Sequence, residues 1–550
     1  MKKILALSLT AIMLLSLAAC SKPPVDNDTP PEEFNPPNTV ISLETPKSGE
    51  CNVEGTVVQI TDHEMRVNGE VMTEDPTQAV YRAFDMVYYE ADKGPAYGAG
   101  TTEDEHPADR HVEYMVIHIT QPGTYILNGY LSKGQILVDL GENAKTDPNA
   151  VVNIYLNGVK IQNPAAPCIL FQNVYECDTG TEKKDVDTST AGASVFLAKD
   201  SINILKGSYV AEIYEPDSVV VEDGKIVAAE TLYEYDGTIH SRMSINLAGD
   251  GILTINAEKE GISSEMHLTM AGGTWYINAK DDCLNTNFDL YSVMAINDGT
   301  LYAHCIGDEG DGLDSNGWIV INGGYITAES ASNSADAGLD SDSGIHIYGG
   351  IVCATGNMNN SINEDGQNFV VFQFNDKQKP GNYALVDNAN MLAAEITAQN
   401  EFSILVMSSP KLVHGEYKLM RDNTVLTVAP LQEMQMPGPN FNQPGMTPDI
   451  LLPGGYTNPK EDMMPPANDP ETPPQPPEPH QSNVTGEEKP GDVPPEKPAE
   501  PPVGPNTEDQ TDIPEKPEGF NPVPPEADME NASQTVVIDA IGNYYVVIGE

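Results

Sequence analysis

The amino-acid sequence predicts an all-β protein whose folded part is a parallel β-helix, a solenoid of short strands, with disordered Pro-rich segments on either side. A repeat of about 22 to 29 residues runs through residues 245–357. Apolar residues recur at equivalent places in each copy, and short strand-like runs alternate with glycine turns. The chain's 44 prolines are unevenly spread and enrich the flanks, which therefore have little apolar surface to bury.

The first twenty residues have the pattern of an export signal. A basic start is followed by an apolar run over residues 4–17, too short for a permanent membrane span, and by small residues before Cys20. Residues 17–20, Leu-Ala-Ala-Cys, resemble the lipobox of bacterial lipoproteins. The resemblance implies lipidation of Cys20, export, and attachment to the extracellular face of the cell membrane through the lipid alone. An ordinary signal with an incidental cysteine would also give this pattern.

Composition divides the rest of the chain into four segments. Residues 21–50 are rich in Pro, Asn, Asp and Glu, which predicts a tether. Residues 51–430 carry the strand-like runs and form the predicted β-helix domain. Residues 431–532 are acidic and Pro-rich and predict an extended, disordered tail. Residues 533–550 alternate in the manner of a short β-hairpin turning at Gly542.

The charge balance excludes one large class of partner. The formal net charge is −55, from 83 acidic and 28 basic residues. Binding to nucleic acid requires clustered Lys and Arg, so nucleic acid is not an expected partner. The balance is compatible with multivalent cations, with basic partners, or with acidic ligands bridged by a cation.

The repeat region contains stacked apolar columns. Four copies of a strand–glycine–strand unit begin at His267, Val293, Trp318 and Gly344. Alternation along each strand sends every second side chain inward, and one copy alone cannot bury its inward residues. Three predicted columns are Leu268, Met294, Ile319 and Ile345; Met270, Ile296, Ile321 and Ile347; and Trp275, Leu301, Ile326 and Val352.

The other half of each repeat carries acidic residues at equivalent places. One predicted outward column is Ser263, Asn285, Asp314 and Asp340; a second holds Asp282 and Asp311; a third holds Asp281 and Asp336. Adjacent coils lie about 4.8 Å apart, and calcium–oxygen distances are about 2.4 Å. A Ca²⁺ ion between two coils can therefore be bonded by a carboxylate from each.

The acidic columns predict a Ca²⁺ site, because stacked like charges repel each other without a cation. A solvated acidic face on a very acidic protein would show the same columns. The predicted metal ligands are Asp281, Asp282, Asp308, Asp311, Asp314, Asp336, Asp340 and Asp342.

The run from Gly249 through Gly356, with its Asp-Gly-Ile/Leu and Gly-Gly punctuation, is similar to a known family. It resembles bacterial carbohydrate-binding β-helix lipoproteins that are related in shape to pectate lyases. The resemblance implies a right-handed parallel β-helix, bound Ca²⁺, and affinity for acidic plant polysaccharide such as pectin or polygalacturonate. The acidic positions that match the family pattern are Asp282, Asp311, Asp314 and Asp340.

A binding protein is favoured over an enzyme. Pectate-lyase-type elimination uses a basic residue, typically Lys or Arg, and residues 281–376 contain neither. His304 and His346 are the basic-capable groups there, and each is predicted to be a lone outward residue. Lys259, Lys280 or an upstream loop remain as sources of a base for a lyase. The sequence is also compatible with glycoside hydrolysis by two carboxylates, and with a structural or adhesive surface role without glycan affinity.

Three tyrosines are candidate ligand-binding residues. Tyr276, Tyr302 and Tyr325 are predicted to point outward on consecutive coils. Aromatic faces stack on sugar rings, which predicts a glycan platform. A cross-strand aromatic ladder that only stabilises the sheet explains the pattern equally well.

Overall fold

A computed structural model describes residues 45–178, 180, 182–431 and 529–549. The described chain is nearly all β, with short 3-10 helices at Ala108–Glu113, Glu142–Thr146 and Met529–Asn531. No helix among these residues is long and apolar enough to cross a membrane. The predicted export signal with Cys20, most of the predicted tether and most of the predicted acidic tail lie outside the described residues.

The first nineteen strands build the N-terminal and central part of the fold. In chain order they are β1 Thr56–Ile60, β2 Arg66–Val67, β3 Glu70–Val71, β4 Val80–Ala83, β5 Met115–Ile119, β6 Gly123–Leu131, β7 Gly134–Asp139, β8 Val152–Asn163, β9 Ile169–Asn173, β10 Ala193–Leu197, β11 Ile202–Gly207, β12 Val210–Tyr214, β13 Val220–Glu222, β14 Lys225–Ala228, β15 Thr231–Tyr235, β16 Gly237–Ser241, β17 Ile245–Gly249, β18 Ile252–Ala257 and β19 Glu260–Ser264.

The remaining strands build the clearest repeats and the C-terminal part. They are β20 Leu268–Ala279, β21 Leu284–Thr286, β22 Val293–Cys305, β23 Leu313–Ser315, β24 Trp318–Ile321, β25 Tyr325–Glu329, β26 Leu339–Ser341, β27 Gly344–Ile347, β28 Ile351–Gly356, β29 Phe369–Gln378, β30 Gly381–Asp387, β31 Leu392–Ala398, β32 Phe402–Ser408, β33 Gly415–Arg421, β34 Thr424–Val425, β35 Thr427–Pro430, β36 Val536–Ile538 and β37 Gly542–Gly549.

Successive repeats pair strand to strand, in parallel and in register. Each repeat contributes strands to a 19-stranded sheet and one strand to a nine-stranded sheet ordered β26-β23-β21-β19-β16-β9-β7-β5-β4. One predicted column shows the register, because Trp275 aligns with Leu301, then with Ile326 and Val352. All four side chains are buried. The apolar columns inferred from alternation are therefore present, and they form the main core.

Glycine is required at the corner between the two strands of each repeat. The second position of the Gly-Gly pair is Gly273, Gly299, Gly324 or Gly350 in successive copies, with φ of 84°, 109°, 88° and 84°. Residues with a side chain rarely adopt such positive φ values, and a Cβ on Gly299 would also lie 3.0 Å from the backbone of Gly272. This position stays glycine even in the copy whose first glycine is replaced by Asp298.

The parallel stack ends at β28, well before the predicted limit at residue 430. β32 pairs antiparallel with both β28 and β29. β30, β31, β33, β34 and β36 form a separate antiparallel sheet. This C-terminal module buries its own apolar cluster, which includes Phe372, Tyr383 and Phe402. A strand with one buried face alternates in the same way whether its neighbours are parallel or antiparallel, so the sequence did not reveal the change.

The predicted C-terminal hairpin is wrong. β36 pairs with β33, whereas β37 lies between β29, to which it is parallel, and β35, to which it is antiparallel. Two short alternating runs next to a turn predict a hairpin, but each run here joins a longer strand from earlier in the chain. Residues 432–528 lie between β35 and β36 in the chain, so the acidic Pro-rich segment is followed by two strands of the C-terminal module and is not a tail.

Candidate functional site

The predicted acidic positions lie at one end of the nine-stranded sheet, where β19, β21, β23 and β26 are neighbours. Strand register places one residue from each in a single outward column. The residues of this column are Ser263, Asn285, Asp314 and Asp340. Equivalent residues of successive repeats are thus brought together on one face of the sheet, as an ion site shared between repeats requires.

Three carboxylates converge at this end of the sheet. One oxygen each from Asp311, Asp314 and Asp340 lies within 4.8 Å of the other two. The backbone holds Asp311 in place, because its Oδ1 accepts the N–H of Ala337 at 2.5 Å. The N–H of Asp311 in turn donates to Oδ1 of Asp282 at 2.6 Å. We call Asp282, Asp311, Asp314 and Asp340, together with Glu260 and Asn285, the acidic array.

Glu260 and Asn285 extend the array and were not among the predicted ligands. The Asn285 amide donates to Oε1 of Glu260 at 2.6 Å. Oε2 of Glu260 and Oδ1 of Asn285 are buried and have no hydrogen-bond partner among the described residues. Buried acceptors without a partner are costly. A signal for Glu260 existed in the sequence, since it precedes the inward Ile262 by two residues, as Asp282 precedes Leu284.

The array concentrates negative charge away from water. Burial, with the neighbouring carboxylates, raises the pKa of Asp282 well above its ordinary value. Burial and nearby aspartates raise the pKa of Asp311 to about 8 and that of Asp314 to about 7. Burial and the Asp236 carboxylate raise the pKa of Glu260 to about 8. Without a cation, the array therefore retains protons near neutral pH.

The other predicted ligands surround the array without joining it. Asp336 accepts the backbone N–H of Gly310 at 2.7 Å. Asp281 is partly buried, and Asp308 and Asp342 are exposed. Within the described residues, the group of three convergent carboxylates contains none of these four. Of the eight predicted ligands, the structure thus brings Asp311, Asp314 and Asp340 together, and the ligand set stays a prediction.

Polar groups close the array at both ends. Beside Glu260, the Lys259 ammonium pairs with Oδ2 of Asp236 at 2.7 Å. Burial opposes its charge, but the Asp236 carboxylate raises the pKa of Lys259 above its ordinary value. At the other end, the Asn360 amide donates to the Asp340 carboxylate.

The raised pKa values predict how pH affects the metal-free protein. A carboxyl whose folded pKa exceeds its unfolded pKa stabilises the fold at low pH and loses that contribution as pH rises through the folded pKa. The ordinary pKa of both carboxyls is 3.8, whereas in the fold the pKa of Asp311 is about 8 and that of Asp314 is about 7. The stability is therefore lost as pH rises between these values. In chelator, the melting temperature is expected to fall between pH 5 and pH 8. Added Ca²⁺ should reverse the fall, because it binds the ionised groups. Calorimetry across this range with and without Ca²⁺ measures both effects, and a rising metal-free melting temperature would contradict the prediction.

The three candidate tyrosines do not form an open platform. Tyr276 and Tyr302 stack with ring centroids 4.7 Å apart, but Tyr325 aligns with Thr300 and is therefore offset by two residues. Tyr276 is 4% exposed and Tyr325 is 8% exposed. Their faces have little room for a sugar ring, which favours the stabilising ladder over the glycan platform.

A turn of the C-terminal module packs on the same outer surface. Glu329 accepts the backbone N–H groups of Gln399 and Asn400 at 2.7 and 3.1 Å. The Asn400 side chain also contacts His304, with its Oδ1 3.1 Å from Nε2. His304 is thus engaged by this turn, a contact that the sequence pattern did not predict.

Tyr302→Phe is expected to be neutral or stabilising by up to about 1 kcal/mol, because the hydroxyl of Tyr302 is buried without a partner among the described residues. Thermal unfolding measures this change. Glycan retention should be unchanged if the tyrosines form a ladder. A loss of retention at unchanged stability would instead identify a platform.

Comparison with known proteins finds a family match that includes the repeat region. Residues 113–378, just under half of the chain, match the model of a family described as carbohydrate-binding domain-containing protein. The chain is similar to that family. A curated carbohydrate-binding domain-containing protein from Acetivibrio thermocellus is 29% identical over 164 residues, covering 30% of this chain and 45% of the relative. The matched part thus spans less than half of that relative's length.

One solved structure resembles the chain weakly. It is the polysaccharide lyase-like protein from C. thermocellum in a gadolinium derivative, with a TM-score of 0.30 and 18% identity. The match covers 54% of this chain and 94% of that chain. A likeness at this level supports no conclusion about fold or function.

Proposed function

We propose that the protein is a surface lipoprotein that binds acidic polysaccharide, such as polygalacturonate, through Ca²⁺ held by the acidic array. One observation carries the proposal: three carboxylate oxygens lie within 4.8 Å of one another beside two buried oxygens that have no partner among the described residues. The match of residues 113–378 to a carbohydrate-binding domain family supports the glycan as ligand.

The donor set fits a hard cation. Each of the six side chains of the array carries a carboxylate or amide oxygen, and Ca²⁺ takes six to eight oxygen ligands in flexible geometry. Zinc and other soft metals prefer sulfur or imidazole, which the array does not contain. Bound Ca²⁺ would neutralise the array and supply coordination positions for uronate carboxylates. Five of the six residues of the array are acidic and none is basic, so a bridging cation is needed, since bare carboxylates repel an acidic glycan.

We propose further that the two parallel sheets are faces of one right-handed β-helix anchored at Cys20. Parallel pairing of β19 with β21 and of β20 with β22 in successive repeats supports the coil. Connections between parallel strands of one sheet are right-handed in nearly all proteins. The lipobox-like sequence before Cys20 supports export and anchoring at the extracellular face.

Retention of polygalacturonate on immobilised protein tests the function. Retention is expected in Ca²⁺, with loss on adding a chelator and recovery when Ca²⁺ is restored. Retention that is unaffected by chelator would refute bridging by the cation. A structural or adhesive role predicts no retention in either condition.

The arrangement of basic residues favours binding over lyase activity. Lys259 is held charged by Asp236, and a protonated amine cannot abstract a proton. Lys280 pairs with Glu258. A lyase would release unsaturated products that absorb in the ultraviolet, and a hydrolase would release new reducing ends. Incubation with polygalacturonate in Ca²⁺ is expected to yield neither.

A further inference from the structure

A separate cavity lies in the C-terminal module, at the end of β29. Its volume is about 220 Å³. Its apolar floor consists of Phe374, Leu426 and Val547, all buried. These residues come from β29, from the chain just before β35, and from β37. The insertion of β37 beside β29 therefore creates the cavity, which has no part in the acidic array.

A bulge in β29 supplies the polar rim of the cavity. Gln373 pairs with Ile404 of β32, but the next paired residue of β29 is Gln378, opposite Phe402. Four residues of β29 thus lie opposite one residue of β32 in the interval. Bulges of this kind redirect side chains out of the sheet and often lie beside binding sites. Here the bulge brings Asn375 and Asp376 to the rim.

The rim combines donors and acceptors that have spare hydrogen-bonding capacity. The Arg421 guanidinium lies over the Tyr383 ring at 5.8 Å and donates to Gln378 at 3.4 Å, which leaves most of its five N–H groups available. Within the described residues, the side chains of Asn375 and Asp376 have no hydrogen bond to protein and are exposed. The rim thus presents a guanidinium, a carboxylate and two amides above an apolar floor.

This combination selects the chemical class of the ligand. Asp376 disfavours a simple anion, and Arg421 disfavours a simple cation. A neutral ring with several hydroxyl groups satisfies both, because its hydroxyls donate and accept while its C–H face contacts the floor. The volume is below the roughly 300 Å³ at which drug-sized pockets begin, so it suits one ring and not a chain segment.

We propose that this cavity is a second glycan subsite, which takes a single neutral hexopyranose unit without a metal ion. Arg421 and Asp376 orient the ring through its hydroxyls, and Gln378 positions the guanidinium. The subsite goes beyond the proposed Ca²⁺-dependent function and does not depend on it. A protein with both sites would hold an acidic chain at the array and a neutral sugar at the C-terminal module.

Saturation-transfer NMR with methyl glucoside, methyl galactoside and methyl mannoside, in EDTA, tests the subsite on the folded chain without its signal segment. At least one glycoside is expected to bind. Arg421→Met and Asp376→Asn should each weaken that binding by about tenfold or more, as loss of a charged hydrogen bond predicts. Lys418→Met is the matched control, since it removes one positive charge from the same strand as Arg421, outside the cavity, and should bind as the wild type does.

Two results would overturn the subsite: no glycoside binding by the wild type, or equal binding by Asp376→Asn and the wild type. Asp376 is exposed on a bulge, so this variant is expected to fold, and an unchanged melting temperature verifies it. Polygalacturonate retention in Ca²⁺, measured on the same variants, should stay at the wild-type level. Failure of the array would abolish only that retention, so the two proposals fail separately.

Discussion

Asp314→Asn is expected to weaken Ca²⁺ binding by roughly tenfold to a hundredfold and to lower polygalacturonate retention in parallel. Asp314 lies at the centre of the array, in register with both Asn285 and Asp340. Its replacement removes a charged oxygen from the convergent group while preserving the shape of the side chain. Calcium titration by calorimetry and retention on immobilised polygalacturonate measure the two losses.

The same substitution should stabilise the metal-free protein at pH 8. Burial and the Asp340 and Asp342 carboxylates raise the pKa of Asp314, so its ionised form is unfavourable when no cation is present. A higher melting temperature in chelator, together with a smaller increase on adding Ca²⁺, is therefore expected. Asp298→Asn is the matched control, because Asp298 is exposed on the other sheet. Equal Ca²⁺ affinity in Asp314→Asn and Asp298→Asn would remove the array as the metal site.

Deletion of residues 542–550 is expected to destabilise the C-terminal module by on the order of 5 kcal/mol. β37 pairs with β29 over six residues and also with β35, so its loss leaves two strands with unpaired edges. Tyr545, Val546 and Val547 are buried, and the deletion removes the apolar area that they cover. Thermal unfolding and limited proteolysis measure the effect.

A chain that lacks only residues 549 and 550 is the control for this deletion, because it keeps the buried part of β37. It should unfold at nearly the wild-type temperature. The parallel repeats should remain resistant to protease in the longer deletion, since most of their apolar core comes from the repeats themselves and the deleted strand contributes only Tyr544, at its edge. Equal thermal stability of the two deletion variants would mean that β37 is not needed for stability and that the C-terminal strands contribute little to it.

The candidate site could be predicted in part because repetition converts sequence position into spatial position. Asp314 and Asp340 occupy equivalent places in two copies, and parallel register alone makes them neighbours. Asp308 and Asp342 belong to none of the predicted columns and were included only to complete the oxygen shell of the ion; they lie in turns, where register does not determine direction, and outside the convergent group. Glu260 was missed because it belongs to a less regular copy, although its spacing to Ile262 follows the same rule.

The tyrosines show a different limit of sequence reasoning. Alternation along the strand assigned Tyr276 and Tyr302 to the outer face, and their stacked rings agree with that assignment. Outer position did not mean exposure, because Tyr276 is only 4% exposed. Burial of an outward residue depends on other segments of the chain, which the local pattern does not contain.

By itself, the sequence determined the β class, the stacked apolar columns and the location of the acidic cluster. Each of these follows from short-range alternation and from a repeat that brings equivalent residues together. Only the tertiary structure decided the antiparallel C-terminal module, the return of β37 beside β29, and the burial that raises the pKa of Asp311 and Asp314. These features depend on pairing between segments far apart in the chain, and pairing partners are chosen by packing energy, which no local pattern encodes.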